Sequence, residues 1–279
     1  MERERLGVID ELHKPARVRF PRRRVQIRGL HDLFQADLVD LKSRATSNNG
    51  YSYILFVMNA FSKYVWAEPL KTKTGGEVTQ AMTKILASTT PPRNLQVDDG
   101  KEFYNSSFLA LMKKHGINMY STYSVLKASL IERVNRTIKG AIFKNFTIKG
   151  NQNWTRDLQT IVTRYNDTVH RTIGMKPREV TSKDEKRLLR TVYREIKQAG
   201  RLKFNVGDQV RVSKYKHLFE KGYTPNWTME TFTIYRKQAT NPRTYLLEDA
   251  GGQPIKGGFY ASELQRTKYP GVFLVERVI

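Results

Sequence analysis

The chain has 279 residues, no cysteine, 39% hydrophobic content and a formal net charge of +23. That length suits two modest domains with appendages, the apolar content excludes wholesale disorder, and the absence of cysteine excludes disulfides and thiolate zinc sites. The excess of Lys and Arg is spread over every segment, which suits a protein that touches a long polyanion at several places; a ribosomal-type or simply basic protein is the plainer reading.

Residues 1–30 are polar and basic, without sustained periodicity, and read as an N-terminal arm. A first strand is expected over 34–41, then a turn at Asn48-Asn49-Gly50, then strands over 51–58 and 64–70, together an antiparallel meander. Gly75-Gly76 opens a helix to about residue 88, with Val78, Met82, Ile85 and Leu86 at helical spacing. A short buried strand at 95–97 runs into Asp98-Asp99-Gly100; a helix over 106–115 stops at Gly116, and 118–122 is a further strand. Helices follow at 128–146 and 154–169, each with one apolar face. The order β-β-β-α-β-α-β and then helices predicts a mixed α/β domain over 31–180. Residues 181–203 read as a charged helical connector with few apolar anchors. From Phe204 the pattern changes to short alternating strands punctuated by Gly and Pro, a small all-β barrel over 204–268, with a tail at 269–279.

No apolar run approaches the roughly 20 residues that cross a bilayer, and residues 1–10 lack a signal peptide's apolar stretch. An intracellular protein with no membrane partner is expected. Arg22, Arg23 and Arg24 resemble a short nuclear-import cluster, which points to the nucleus. The five histidines are scattered, without metal-ligand spacing.

Three acids stand where chemistry needs them. Asp37 lies within an apolar strand, Asp98 at the carboxyl end of the central strand, and Glu132 in the first turns of a helix. An acid inside an apolar strand is costly unless something neutralises it, and a shared divalent cation would do so. Two such ions, about 3.5–4 Å apart, clamp the attacking and leaving oxygens of a phosphodiester. Taken singly, each acid reads more simply as a surface or turn residue. Arg136 and Lys139 follow Glu132 by four and seven residues and share its helical face, so metal and DNA phosphate would lie side by side; a solvated face with a Glu132–Arg136 ion pair is the equal alternative.

The run Phe34-Gln35-Ala36-Asp37-Leu38 resembles the first motif of retroviral-type integrases, Val97 to Phe103 resembles their second, and Lys127 to Arg136 their third. Thirty-three residues lie between Asp98 and Glu132, close to the family's spacing. Tyr165-Asn166, His170 and Pro177 resemble the end of the family's catalytic domain. The wording is most similar to integrases of Maverick/Polinton-type DNA transposons, through Phe61-Ser62-Lys63-Tyr64, Glu230-x-Phe232, Gly258-Phe259-Tyr260 and Glu263-Leu264. Two features depart from the pattern. The amino-terminal zinc module of retroviral integrases has no cysteines here, and Asn59 stands where relatives often carry Asp.

The resemblance implies a ribonuclease H-like catalytic core followed by a small SH3-like or chromo-like β-barrel. It implies a polynucleotidyl transferase with catalytic and metal residues Asp37, Asp98 and Glu132, a magnesium or manganese cofactor of two ions, and a homo-oligomer acting on transposon-end DNA and target DNA. DNA-binding candidates are Lys127, Arg133, Arg136 and Lys139 in the core and Arg211, Lys214 and Lys216 in the barrel. Tyr215, Trp227 and Tyr235 suit either a methyl-lysine cage or a plain small core, the core being favoured. A host-retained copy that binds DNA or chromatin without cutting is the alternative, and a nuclease of the same fold a third reading.

Overall fold

The computed structural model describes residues 2–17, 19–20, 25–121, 129–194, 203–214 and 223–272. The chain divides into two compact units, Gln26–Glu195, and Met1–Val25 with Ile196–Ile279. The first helix, α1 (Glu2–His13), belongs to the second of these.

The larger unit is built on a five-stranded sheet of β1 (Leu33–Asp40), β2 (Tyr53–Asn59), β3 (Val65–Leu70), β4 (Asn94–Val97) and β5 (Asn118–Ser121), ordered β3-β2-β1-β4-β5. The first three strands form the expected antiparallel meander, and β4 and β5 add in parallel beyond β1. Alternation decides which side chains face which layer. Phe34 and Ala36 of β1, with Tyr53, Leu55 and Val57 of β2, pack under α2 (Gly75–Ala87) and α3 (Ser106–Lys114). Val39 of β1, with Ile54, Phe56 and Met58 of β2, packs under α4 (Ser129–Lys149) and α5 (Leu158–Asp167). Asp37 follows the parity of Val39, so it is presented to α4. Pro69 is accommodated because β3 is an edge strand.

Side-chain amides fix the loops. Asn166 joins α5 to β3 by giving Val65 both an acceptor and a donor, each at 2.9 Å. Asn59 accepts from the Phe61 and Ser62 amides and donates to the Leu30 carbonyl at 2.8 Å, a donation that an ionised Asp in its place could not make.

The stretch read as a connector is docked on this unit as α6 (Ser182–Thr191). Leu188 is fully buried among Ile27, Leu33, Ala60, Phe61 and Ile173, and the Glu185 carboxylate accepts the Leu30 amide at 3.1 Å. A single buried leucine with partly buried neighbours anchors the helix, which is why its charged composition misleads.

In the smaller unit β6 (Gln209–Val212), β7 (Phe232–Gln238), β8 (Thr244–Glu248), β9 (Phe259–Tyr260) and β10 (Leu264–Arg266) form one antiparallel sheet in the order β10-β6-β7-β8-β9. The N-terminal stretch, read as a basic arm, is in part a helix packed on this unit. Val8 and Leu12 of α1 are buried against Trp227, and the buried Glu11 faces the buried Arg211 at 3.5 Å. Among the described residues no helix is long and apolar enough to cross a membrane.

Candidate active site

In the parallel pair β1–β4, Gln35 lies opposite Gln96. Asp37 and Asp98 each stand two residues further on. Continuing the register puts them at one level, and alternation turns both to the face shared by Gln35 and Gln96. That face is the α4 side. Gln35 fixes the arrangement: its amide donates to the Gln96 side-chain oxygen at 2.8 Å and accepts the backbone N–H of Ile131, in the first turn of α4, at 3.1 Å. Both glutamines are buried. The residue after Ile131 is Glu132, so one buried amide ties all three acid-bearing elements together.

Asp37 accepts the Leu38 amide at 2.8 Å and the Asn135 side-chain amide at 2.6 Å. Burial nevertheless pushes its carboxyl up to about 6, and the nearby charges of Asp98 and, less, Glu132 push the same way. Asp37, Glu132, Asn135, Arg136 and Lys139 line one cleft of about 500 Å³ together with Leu38, Val39 and Asp40. Helical spacing accounts for this, because positions 132, 135, 136 and 139 fall on one face of α4.

The donor set fits a hard divalent cation. It consists of carboxylate oxygens, one of them destabilised by uncompensated neighbours, and beside it the buried Oδ1 of Asn135 has no hydrogen-bond partner. Among the described residues no three of His, Asp and Glu close round a single point tightly enough to hold an ion by themselves. The acids converge on one region without forming a finished cage.

The other candidates are dispersed. Arg133 is exposed on α4, one residue beyond Glu132 and about 100° round the helix from it. Lys214 is exposed in the smaller unit, whereas Lys127, Lys216 and Tyr215 lie outside the described residues, as do Arg22, Arg23 and Arg24. Arg211 is not a surface cation. It is 1% exposed, and its guanidinium donates to the Thr228 and Met229 carbonyls beside Glu11. Strand alternation turns it away from the core shared by Val210 and Val212, and it is buried on the opposite face beside Glu11 of α1, a cover that the local sequence does not report. Trp227 is core, its indole N–H donating to the Lys14 carbonyl at 2.9 Å, while Tyr235 is exposed. Gln35 and Asn135 escaped the sequence reading; the signals were the Gln two residues before Asp37 and the Asn three residues after Glu132.

Residues 31–122 match the integrase core domain family. An antiparallel β3-β2-β1 sheet extended in parallel by β4 and β5, with helices on both faces, is the ribonuclease H-like fold. The chain is similar in sequence to a transposon-derived protein and to retroviral polyproteins, and it spans less than two thirds of their length. It is 34% identical to a transposon-derived protein of Caenorhabditis elegans, over 71% of this chain and 66% of that protein. It is 31% identical to the Pol polyprotein of a feline endogenous virus and to the Gag-Pol polyprotein of baboon endogenous virus, in each case over 47% of this chain, spanning 13% and 8% of the polyproteins. In fold it resembles a chain of the simian T-cell lymphotropic virus intasome, solved in complex with a PP2A regulatory subunit, with a TM-score of 0.64 at 16% identity over 96% of this chain and 87% of that one.

Proposed function

We propose that the chain is a DDE-type DNA integrase that processes the ends of a transposon and joins them to target DNA in the nucleus, as a homo-oligomer. The observation that carries this reading is the presentation of Asp37 and Asp98 on one sheet face, opposite Glu132, in a region that also holds Arg136 and Lys139. We assign the element to the Maverick/Polinton kind on the wording around Phe61 to Tyr64, Glu230 and Gly258 to Tyr260.

Asp37, Asp98 and Glu132 would hold magnesium or manganese, two ions in this reading. When bound, such ions activate the attacking oxygen and neutralise charge building on the phosphate. The chain's own residues supply positioning. Asn135 holds Asp37 by its second oxygen, Gln35 fixes the spacing of sheet and helix, and Arg136 and Lys139 orient the phosphodiester. Water would attack near the element's end, and the freed 3′ hydroxyl would attack target DNA, with no covalent enzyme–DNA intermediate.

The test is a strand-transfer assay with labelled DNA ends, target plasmid and either metal. Joined products that a chelator abolishes are expected. A folded chain that binds DNA with metal present and joins nothing would overturn the reading in favour of a retained, non-catalytic DNA-binding copy.

A further inference from the structure

Lys63 closes the hairpin between β2 and β3 with a backbone φ of 65° and a side chain that is almost wholly buried, the residue being 3% exposed. Its Nζ donates to the Ala60 carbonyl at 2.6 Å and lies 5.2 Å from the centre of the Tyr193 ring. Neither partner carries a negative charge. The hairpin, the start of α4 and the turn after α5 meet in one apolar cluster through Ala60 and Phe61, Leu130, and Ile173, and burial together with the cation Arg133 of α4 pushes the ammonium down to about 8. The half-buried His170 joins the same cluster, held down by burial and by Lys63, Arg133 and Arg171. Its Nδ1 accepts the Thr172 amide at 3.2 Å, which leaves Nε2 to carry the ring proton. Arg133 and Arg171 are exposed. Among the described residues no acid acts on Lys63 or His170.

Burying an ammonium beside a guanidinium group is costly unless an anion offsets it. Capping the Ala60 carbonyl does not require it, since a neutral donor would serve. A floor cation held by the backbone, with a rim of two exposed arginines and an imidazole N–H, has the composition of a phosphate seat. Its place matters as well. Arg133 directly follows Glu132, so the seat lies beside the cleft on an adjoining face of α4.

We propose that Lys63, Arg133, His170 and Arg171 form a second anchoring site for a backbone phosphate of duplex DNA, one that sets the position of the strand entering the cleft. This rests on the reading of the chain as a DNA strand transferase. Lys63 contributes as a fixed buried charge, and the arginines make the direct contacts.

The test compares binding of a labelled DNA duplex across a salt series for the full chain, Arg133→Gln/Arg171→Gln, Lys63→Met, and a control, Lys144→Gln/Arg156→Gln, that removes two exposed charges elsewhere on the same unit. Each phosphate contact contributes about 0.9 to the slope of log affinity against log salt, so removing the arginine pair, and with it this one phosphate contact, should lower the slope by about 1 and the control by clearly less. Lys63→Met, checked for folding by thermal unfolding, should weaken binding several-fold while leaving the contact number nearly unchanged. A slope for Arg133→Gln/Arg171→Gln equal to that of the control would overturn the proposal. So would displacement of the duplex by inorganic phosphate beyond the effect of chloride at equal ionic strength, which would assign the pocket to a free anion. Joining by the wild type alongside an unaltered slope would remove this site and leave the integrase reading standing; a lost slope with no joining would do the reverse.

Discussion

Asp37 has two hydrogen bonds that favour its charged form, yet burial and two neighbouring acids win, and its carboxyl rises to about 6. The folded chain therefore binds this proton more tightly than the unfolded chain. The group's contribution to stability is fully present below about 4 and is lost as pH rises through about 6. Asp37→Asn removes the penalty, so the metal-free protein should gain stability at neutral pH, on the order of 1–3 kcal/mol, since a tenfold difference in proton affinity between folded and unfolded chain is worth about 1.4 kcal/mol. Thermal unfolding at pH 4 and pH 7.5 measures this, and the gain should vanish at the lower pH. In the same experiment magnesium should raise the melting temperature of the wild type and leave Asp37→Asn unmoved. An equal magnesium response in both would remove Asp37 from the ligand set. Asp37 was legible in the sequence because a lone acid among Phe34, Ala36 and Leu38 needs an explanation. Asn135 was not, because its meaning depends on Asp37 lying across a layer boundary, 98 positions away in sequence.

Strands and helices of the larger unit were legible nearly to the residue, since each buries one regular stripe on one side of the sheet. Ends were less so. The helix expected from 154 begins at Leu158, because the buried Trp154 sits in the preceding turn, where Asn48 accepts the amides of Trp154 and Thr155. No local pattern reports such a partner. The same limit hid α1, whose two apolar contacts, Val8 and Leu12, find Trp227 across more than two hundred residues. At this scale the joint between β1 and α4 is a single side chain. Gln35→Met keeps the volume but removes the acceptor of the Ile131 amide and a donor to the Gln96 oxygen in a buried place, at a cost of about 1–3 kcal/mol for the orphaned Ile131 amide. Urea unfolding should show that loss, and strand transfer should fall while DNA affinity holds, because the acids lose their spacing and the surface cations do not move. The joint between α1 and β6 behaves differently. Arg211→Ala leaves Glu11 charged and buried, with the Thr228 and Met229 carbonyls uncapped, so destabilisation by about 3–5 kcal/mol is expected. The salt slope of DNA binding should be unchanged wherever the variant remains folded. A reduced slope with normal stability would return Arg211 to the DNA-binding surface.

For the whole molecule, the charge of +23 is carried by both units, whereas the proposed chemistry is confined to one face of one sheet. Binding and joining should therefore separate under a single substitution. Asp98→Asn keeps the size of the side chain and its hydrogen-bonding capacity but loses the charge that holds a hard cation. Removing that charge takes away the second-largest cause of Asp37's raised titration, so the Asp37 carboxyl should titrate below 6, as carboxyl NMR would read directly. Stability without metal should be unchanged or slightly higher, since one member of a repelling set is gone. DNA affinity and its salt slope should match the wild type, because they rest on widely spread Lys and Arg rather than on the acids. Strand transfer should fall by orders of magnitude, because a two-metal site needs its complete ligand set. Comparable joining by wild type and Asp98→Asn would exclude the metal-ion mechanism at this site. A fall in joining matched by an equal fall in DNA affinity would mean that Asp98 acts through binding. Loss of joining with affinity intact and the Asp37 titration lowered is the combination that only a shared cation site, built on neighbouring strands, accounts for.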